Sequence, residues 1–501
     1  MKLFHTMAEN LKNELKKIDG IMCFTSDCWS GRNHNGYACV IAHFIDNNWL
    51  LHKRIIAFRL LEYPHNGVNL CENLLKVFNE FGVLNKLFSV TFDNASANNA
   101  CIELLIRAVT PLYDSKLFHM RCVCHIYNLA VQDGLKLITP QISIIRESIN
   151  YISCSDSRQQ EFAKICINLG LRRRKFVDDV PNRWNSTFLM LKSCVGYTNA
   201  INAFVNSKQN QFYIIDSDWE KAFKIMKFLK PLYKATKVSS GVYYPTSNLV
   251  LLQLVEIAEQ FSSFRDDPFF FQIIYSMEEK FKKYYENTPL IFSVAAVMDP
   301  RIKLFGVHCA LESLSETLAF NINITNRQLD IFINEMYDNY FIKYGNNENI
   351  SSSTNSSTTS KGKSSFFSII AKKRNVLGSS STTSTTWELE RYYQFDHYSL
   401  IPEDEVDNLD ILRWWKLNER SYPVLSEMAR DLLTVPVSTV TSESAFSAGN
   451  RVLDERRSRL KEDILEALIC VKDWIFADRR MQDKIIDDVA EDFKNLAIPE
   501  D

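Results

Sequence analysis

Two aspartates stand where short apolar runs break off: Asp27 follows IMCFTS (21–26) and Asp93 follows KLFSVTF (86–92). Both runs read as strands. A strand end holds a carboxylate more rigidly than a loop does, so two such ends on adjacent strands could share a divalent metal through hard oxygen ligands. The same residues also suit turns and helix caps, and Asp93 precedes a helical stretch at 95–107 that it could cap. Spacing alone favours that plainer role.

A second group lies in RCVCHIYNLAVQDGL, where Cys122, Cys124 and His125 fall within four residues. Two cysteines and one histidine are too few for a closed zinc site unless distant ligands join them, and a buried Cys/His pair at a helix start is the simpler reading. Basic clusters occur at 171–184 (LRRRKFVDDVPNRW) and 451–461 (RVLDERRSRLK), each with five basic residues against two acidic. The second contains Arg456, Arg457 and Arg459. Such runs are usually solvated faces, although both hold residues suited to phosphates. In Arg183–Trp184 the indole could stack on an extrahelical base while the guanidinium holds phosphate. Taken alone, Trp184 reads as core.

The elements that would position these residues follow from pattern. Residues 21–26, 36–45 and 49–60 are β-branched and aromatic runs separated by turn formers, which predicts three antiparallel strands. Helical spacing at 68–82 ends on Gly82, a fourth strand covers 86–92, helix returns at 95–107, a fifth strand at 117–123 precedes a helix at 125–135. From about 140 to 345 helical periodicity dominates. Residues 346–386 turn to Ser, Thr and Asn around a basic triplet, Lys372, Lys373 and Arg374, and are expected to form a disordered linker. Order resumes at Trp387. A helix at 439–448 is expected to stop at Gly449, and another covers 461–475. On that last helix Leu460, Ile464, Leu468, Val471 and Ile475 recur at steps of four, four, three and four, with Trp414, Trp415 and Tyr422 nearby. This apolar stripe serves either self-association or packing on the chain's own core.

Composition narrows the function. Apolar residues at 46% and charged residues at 24% give an ordinary globular balance, and 501 residues suggest roughly three units. The formal charge of -2 means that any nucleic-acid contact relies on local basic patches. Only 14 Gly and 13 Pro favour helix. The 12 cysteines are sparse for this length and follow no signal peptide, so reduced thiols are expected in an intracellular protein. No apolar run reaches the roughly 18 residues of a membrane span. No paired C-x-x-C with a downstream H-x-x-x-H occurs, so no zinc-finger DNA reader is expected.

The tail from Trp414 to Ile475, with its SYPVLSEMARDLLTVPVSTVTSESAFSAGN run, strongly resembles the C-terminal dimerisation region of hAT superfamily transposases of the plant RICESLEEPER and DAYSLEEPER type. TSDCWS (25–30), VTFDNASAN (90–98), RCVCHIYNL (121–129), RWNST (183–187), FLKPLYKATKVSSGVYYPTSN (228–248) and AAVMDPRIKL (295–304) agree with the family in the same order.

The resemblance implies an α+β fold, a ribonuclease H-like βββαβα core interrupted by a large α-helical insertion. On that basis residues 1–20 form a leading helix and 21–140 the first part of the core. The insertion spans 141–345, with its hAT-like region at about 210–315; 387–478 completes the core and 479–501 is an acidic tail. The resemblance places the catalytic acids at Asp27, Asp93 and Glu443. Glu443 lies 350 residues after Asp93, so only an insertion that leaves and returns to the core can bring it back. Ser438 or Thr439 is expected to cap its helix. In an active relative the three acids are expected to hold Mg2+ or Mn2+ for in-line phosphodiester displacement; without activity no cofactor is implied. Trp29 and Trp184 match aromatics that handle flanking bases, and Cys122 and His125 match a C-x-x-H motif assigned to local structure or DNA contact. The implied partners are DNA and a second copy of the chain, acting in the nucleus. Family members usually begin with a BED zinc finger, whereas this chain starts about 25 residues before Asp27. The expectation is therefore a DNA-binding, dimerising protein, truncated or domesticated, or else an active transposase.

Overall fold

The computed structural model describes residues 1–31, 35–180, 183–207, 213–287, 290–345, 387–395, 409–453 and 460–482. The expected linker at 346–386, the tail beyond 482, and Arg456, Arg457 and Arg459 lie outside the described residues.

A leading helix, α1 (Lys2–Lys17), precedes three antiparallel strands, β1 (Met22–Ser30), β2 (Gly36–Ile45) and β3 (Leu51–Leu60). Then follow α2 (Gly67–Phe81), β4 (Leu87–Phe92), α3 (Ser96–Val109) and β5 (His119–Arg121), with β4 and β5 parallel to β1. The sheet order is β3-β2-β1-β4-β5. β2 is buried at every position because both faces of the sheet are covered, so it reads as a continuous apolar run and not as an alternation. One face packs on α1, α2 and α3; Cys23, Phe88 and Met120 on the other join the helical body. α2 ends as expected, on Gly82 in the left-handed region (φ 65°), whose N–H bonds back to the last turn.

The remaining helices are α4 (Val123–Ser153), α5 (Asp156–Asn168), α6 (Trp184–Cys194), α7 (Thr198–Ser207), α8 (Asp216–Ser239), α9 (Val250–Phe264) and α10 (Pro268–Tyr285). They continue with α11 (Leu290–Val297), α12 (Lys303–Thr317), α13 (Asn326–Tyr344), α14 (Trp387–Gln394), α15 (Ile411–Asn418), α16 (Pro423–Leu433), α17 (Val440–Val452) and α18 (Glu462–Gln482). The helix expected at 125–135 therefore runs much further: α4 starts against the sheet, carries Pro140 inside it and ends deep in the helical body. The helix expected to stop at Gly449 continues three residues beyond it. Gly449 is required there by close approach, since a Cβ would stand 3.3 Å from the Trp29 ring and 3.4 Å from Phe58.

Three joints tie the helical body and the C-terminal block to the sheet. At the β2–β3 turn Trp49 adopts a left-handed backbone (φ 63°), a costly state for a bulky residue. Its ring is held in return: the indole N–H donates to Glu419 Oε2 at 2.8 Å, Arg430 sits 4.6 Å from the ring centre and Trp415 stacks at 6.4 Å. Trp415, fully buried, donates its own N–H to Met298 O at 2.9 Å. The adjoining Asp299 carboxylate accepts from Arg301 and from Asn248 Nδ2. Trp414 is half-buried against the same cluster. These two tryptophans, expected to contribute to a dimer surface, are thus committed to the chain's own core, because the indole N–H of Trp415 finds its acceptor there.

α18 covers the outer edge of β3, whose backbone groups would otherwise be open to another strand. Asp473 Oδ2 accepts from Ile55 N at 2.8 Å, Trp474 Nε1 donates to Ile55 O at 2.8 Å and Glu466 accepts from Phe58 N and Arg59. Leu465, Ile469, Cys470 and Trp474 face inward. The stripe read from the sequence is the opposite side: Ile464 (37%) and Leu468 (47%) are exposed, with Leu460, Val471 and Ile475 half-buried.

The third joint is Asp431 on α16. It accepts from the Tyr340 hydroxyl of α13 at 2.5 Å and from the backbone of Ile21 ahead of β1. Burial pushes its carboxyl up to about 7; Tyr340 and Lys343 pull it down and Glu427 raises it. Its stabilising contribution is therefore full while it is protonated, below the ordinary carboxylate range, and is lost as pH rises through 7. Between pH 5 and 8 the wild-type chain should lose on the order of 1–3 kcal/mol through this group. Asp431→Asn, which keeps an acceptor for Tyr340, should flatten that fall in thermal melts; an unchanged pH profile would contradict it.

Candidate active site

β1 outruns its parallel neighbour. Its pairing with β4 ends at Thr25–Thr91, whereas its antiparallel pairing with β2 continues to Ser30–Gly36. Asp27 therefore lies inside β1, opposite Cys39, and not after the strand as expected; the continued ladder with β2 holds it there. Two residues past the Thr25–Thr91 pair on each strand stand Asp27 and Asp93, at equivalent positions where the sheet opens.

The segment entering α17 crosses this opening and is held at four points. Thr91 Oγ1 donates to Pro436 O at 2.7 Å, and Val123 N donates to Val437 O at 2.9 Å. Thr439 N donates to Cys122 Sγ at 3.4 Å, and the hydroxyls of Thr25 and Thr441 meet at 3.3 Å. His43 Nε2 completes a buried polar chain through Thr25 at 3.2 Å. α17 then runs along β1, Thr441 over Thr25 and Phe446 stacked on Trp29 at 5.8 Å. Glu443, in its first turn, is thereby carried to the end of the sheet where Asp27 and Asp93 stand. Thr439 occupies the cap position of α17, but its hydroxyl makes no cap bond and lies buried next to the Cys122 thiol.

The electrostatics report the gathering. Burial raises the Asp27 carboxyl to about 7, with the charges of Asp93 and then Glu443 adding to the rise and the Cys28 N–H opposing it. Burial also raises Glu443; His125 and Arg183 pull it down and Asp93 pushes it up. Asp27, Asp93 and Glu443 thus lie in one another's field, with His125 and the exposed Arg183 acting on Glu443.

Three carboxylates are hard oxygen donors suited in kind to Mg2+ or Mn2+. Asp27 Oδ1 accepts from Cys28 N at 2.8 Å, and Asp93 Oδ1 from Ala95 N at 3.0 Å and from Asn98 Nδ2. Among the described residues no three His, Cys, Asp or Glu side chains are spaced to hold a metal ion. Asp93 also serves the turn ahead of α3, so its plainer role and its place at the site coexist.

The other expected site residues divide. Cys122 is buried and anchors the crossing segment by its sulfur, while His125 faces Glu443. Neither belongs to a metal cluster among the described residues. Trp29 is half-buried between Tyr37, Phe58 and Phe446, and Trp184 is only 2% exposed, edge-on to Tyr233. Trp184 is corrected from a base-stacking residue to a packing residue, since its ring is enclosed, while Trp29 packs on α17 with part of its ring open. The sequence reading missed Thr25, Thr91 and Thr441. Threonines in buried strand or helix-entry positions were the available signal.

A five-stranded 3-2-1-4-5 sheet with acids at the open ends of its central strands defines a ribonuclease H-like protein with a helical insertion. Family models agree with that division: the ZBED1 RNase-like domain matches residues 25–115, the ZBED1 RNase-like helical domain 120–228, the hAT-like transposase, RNase-H fold 248–340, and the hAT family C-terminal dimerisation region 388–475. The chain is 31% identical to "Zinc finger BED domain-containing protein RICESLEEPER 2" of Oryza sativa subsp. japonica, over 93% of this chain and 66% of the relative. It is 30% identical to "Putative AC transposase" of Zea mays, over 96% of this chain and 60% of the relative, and 26% identical to "Zinc finger BED domain-containing protein DAYSLEEPER" of Arabidopsis thaliana, over 93% and 65%. This chain belongs to the hAT transposase-like family. It spans about two thirds or less of the length of these relatives.

Mutual repulsion among the three acids is testable without activity. Asp27→Asn removes one charge, so in cation-free buffer at pH 8 its Tm should exceed the wild-type value by an amount equivalent to about 1–3 kcal/mol. Millimolar Mg2+ should raise the wild-type Tm and raise the variant's less. Equal Mg2+ responses in thermal shift would contradict shared occupancy by these side chains.

Proposed function

We propose that this chain is a DNA-binding, self-associating protein derived from a hAT transposase, a domesticated element acting in the nucleus. The observation that supports the reading is that Asp27, Asp93 and Glu443 lie within one another's electrostatic influence, with His125 and the exposed Arg183 acting on Glu443, in a chain of this family. A phosphodiester backbone brings negative charge, which the exposed Arg183 attracts. Titration of a labelled duplex should give binding that weakens at least about 100-fold between roughly 50 and 200 mM salt. No binding at low salt, or binding indifferent to salt, would remove the DNA reading.

The same convergence favours a second reading, metal-dependent cutting and joining of phosphodiester bonds. A bound Mg2+ or Mn2+ would supply Lewis-acid stabilisation of charge on the reacting oxygens. Asp27, Asp93 and Glu443 are donors of the right kind but are not spaced as a metal site, so to hold the ion they would have to draw closer together, with Arg183 beside Glu443 to position the phosphate. This reading falls if Mg2+ leaves the wild-type Tm unmoved.

Self-association is supported by the dimerisation-region match and by the exposed Ile464, Leu468 and Phe476 on the outer side of α18. Leu468 is open to solvent, so Leu468→Asp buries no charge in the single chain. Sedimentation should give a wild-type mass above 58.1 kDa that falls to 58.1 kDa in the variant, with Tm unchanged. A wild-type chain that stays at 58.1 kDa across the concentration series would overturn it.

A further inference from the structure

α6 and α8 pack side by side in opposite directions. Phe188 stacks on Tyr233 at 4.5 Å and Trp184 meets the same ring edge-on at 6.5 Å. One turn beyond Phe188 on α6 is Lys192, and one turn before Tyr233 on α8 is Lys230. The segment between α5 and α6 adds Arg174, whose guanidinium lies 5.0 Å from the ring centre of Tyr197; that ring is itself fixed by a bond from its hydroxyl to Arg172 O at 3.0 Å. Three cations from three elements are thus gathered at one end of the α6–α8 seam.

None of the three forms an ion pair with a described residue. Two other lysines of α8 are paired, Lys224 with Asp267 at 3.5 Å and Lys234 with Glu256 at 2.9 Å. Burial, Lys230 and Arg174 all push the Lys192 ammonium below its ordinary range. Like charges held together in this way oppose folding unless an anion supplies the missing partner.

Resting on the DNA-binding reading above, we propose that Arg174, Lys192 and Lys230 form a seat for the phosphates of one DNA strand, which continues from there along α6 towards Arg183 and the acidic site. Lys192 and Arg183 are nine residues apart on α6, about 13 Å at roughly 1.5 Å per residue. That length follows about four phosphates at roughly 3.4 Å of rise each. The aromatic floor of the seam, Trp184 and Phe188, is buried, so the seat offers charge and no base-stacking platform.

The test is the salt dependence of binding to a labelled mixed-sequence duplex by the full chain, wild type against R174A/K192A/K230A. Each lost phosphate contact lowers the slope of log K against log salt by about 0.7–0.9, so the triple variant should lose about two to three units of slope. K224A/K234A, which removes the paired lysines of the same helix, should keep the wild-type slope, and R174K/K192R/K230R should restore it. A triple variant with the wild-type slope overturns the seat while leaving the DNA-binding reading standing. A wild-type chain without salt-dependent binding removes the DNA-binding reading itself. If the alanine triple does not fold, K230A, at an exposed position, decides alone: an unchanged slope overturns the seat.

Discussion

One crossing of the chain closes this molecule. Residues 436–441 pass over the open ends of β1 and β4 and the start of α4, held by Thr91, Val123, Cys122 and Thr25. Without it the sheet would lack its third acid and α17 would have no track along β1. Two of the four contacts use side-chain hydroxyls and one a thiol, because the crossing segment is not a strand and cannot satisfy its backbone groups by a ladder. The helical body between α4 and α16 is therefore not an appendage. It must return the chain to within hydrogen-bonding distance of where it left.

That closure explains the placing of the joints. Trp49, the Ile55 backbone against Asp473 and Trp474, and Asp431 each couple an element early in the chain to one late in it, and each uses a polar group satisfied by a specific partner. Apolar packing supplies most of the cohesion across the helical body, but it is tolerant of small sliding. An indole N–H or a carboxylate with a directed partner is less so. The left-handed backbone at Trp49 is tolerated because the ring reaches Glu419, Arg430 and Trp415 together.

Charge is distributed with similar economy in a chain whose formal sum is only -2. Negative charge collects where the strands open, at Asp27, Asp93 and Glu443, and positive charge collects along α6, from Arg183 beside Glu443 to Lys192 with Arg174 and Lys230. Opposite signs side by side suit a polyanion whose reacting group needs cationic help while its flanks need simple neutralisation.

Much of this was legible in the sequence. β-branched and aromatic runs between turn formers marked the strands, Gly82 marked the end of α2, and the motif order pointed to the family and to the three acids. Local pattern carries such information because strand and helix periodicity are set by residues a few positions apart. The reading went wrong where a distant neighbour decides. β1 extends through Asp27 because β2 pairs with it to Ser30, and Gly449 marks a close approach of α17 to Trp29 and Phe58 and not the end of the helix. The stripe of α18 could be recognised as apolar but not oriented, since only the β3 edge determines that Leu465, Ile469 and Trp474 turn inward and leave Leu468 outside. The same holds for the site. The sequence determined which acids are present; the return of Glu443 into the field of Asp27 and Asp93, and the lack of an ion pair for Lys192 and Lys230 among the described residues, were decided by tertiary contacts that no local spacing encodes.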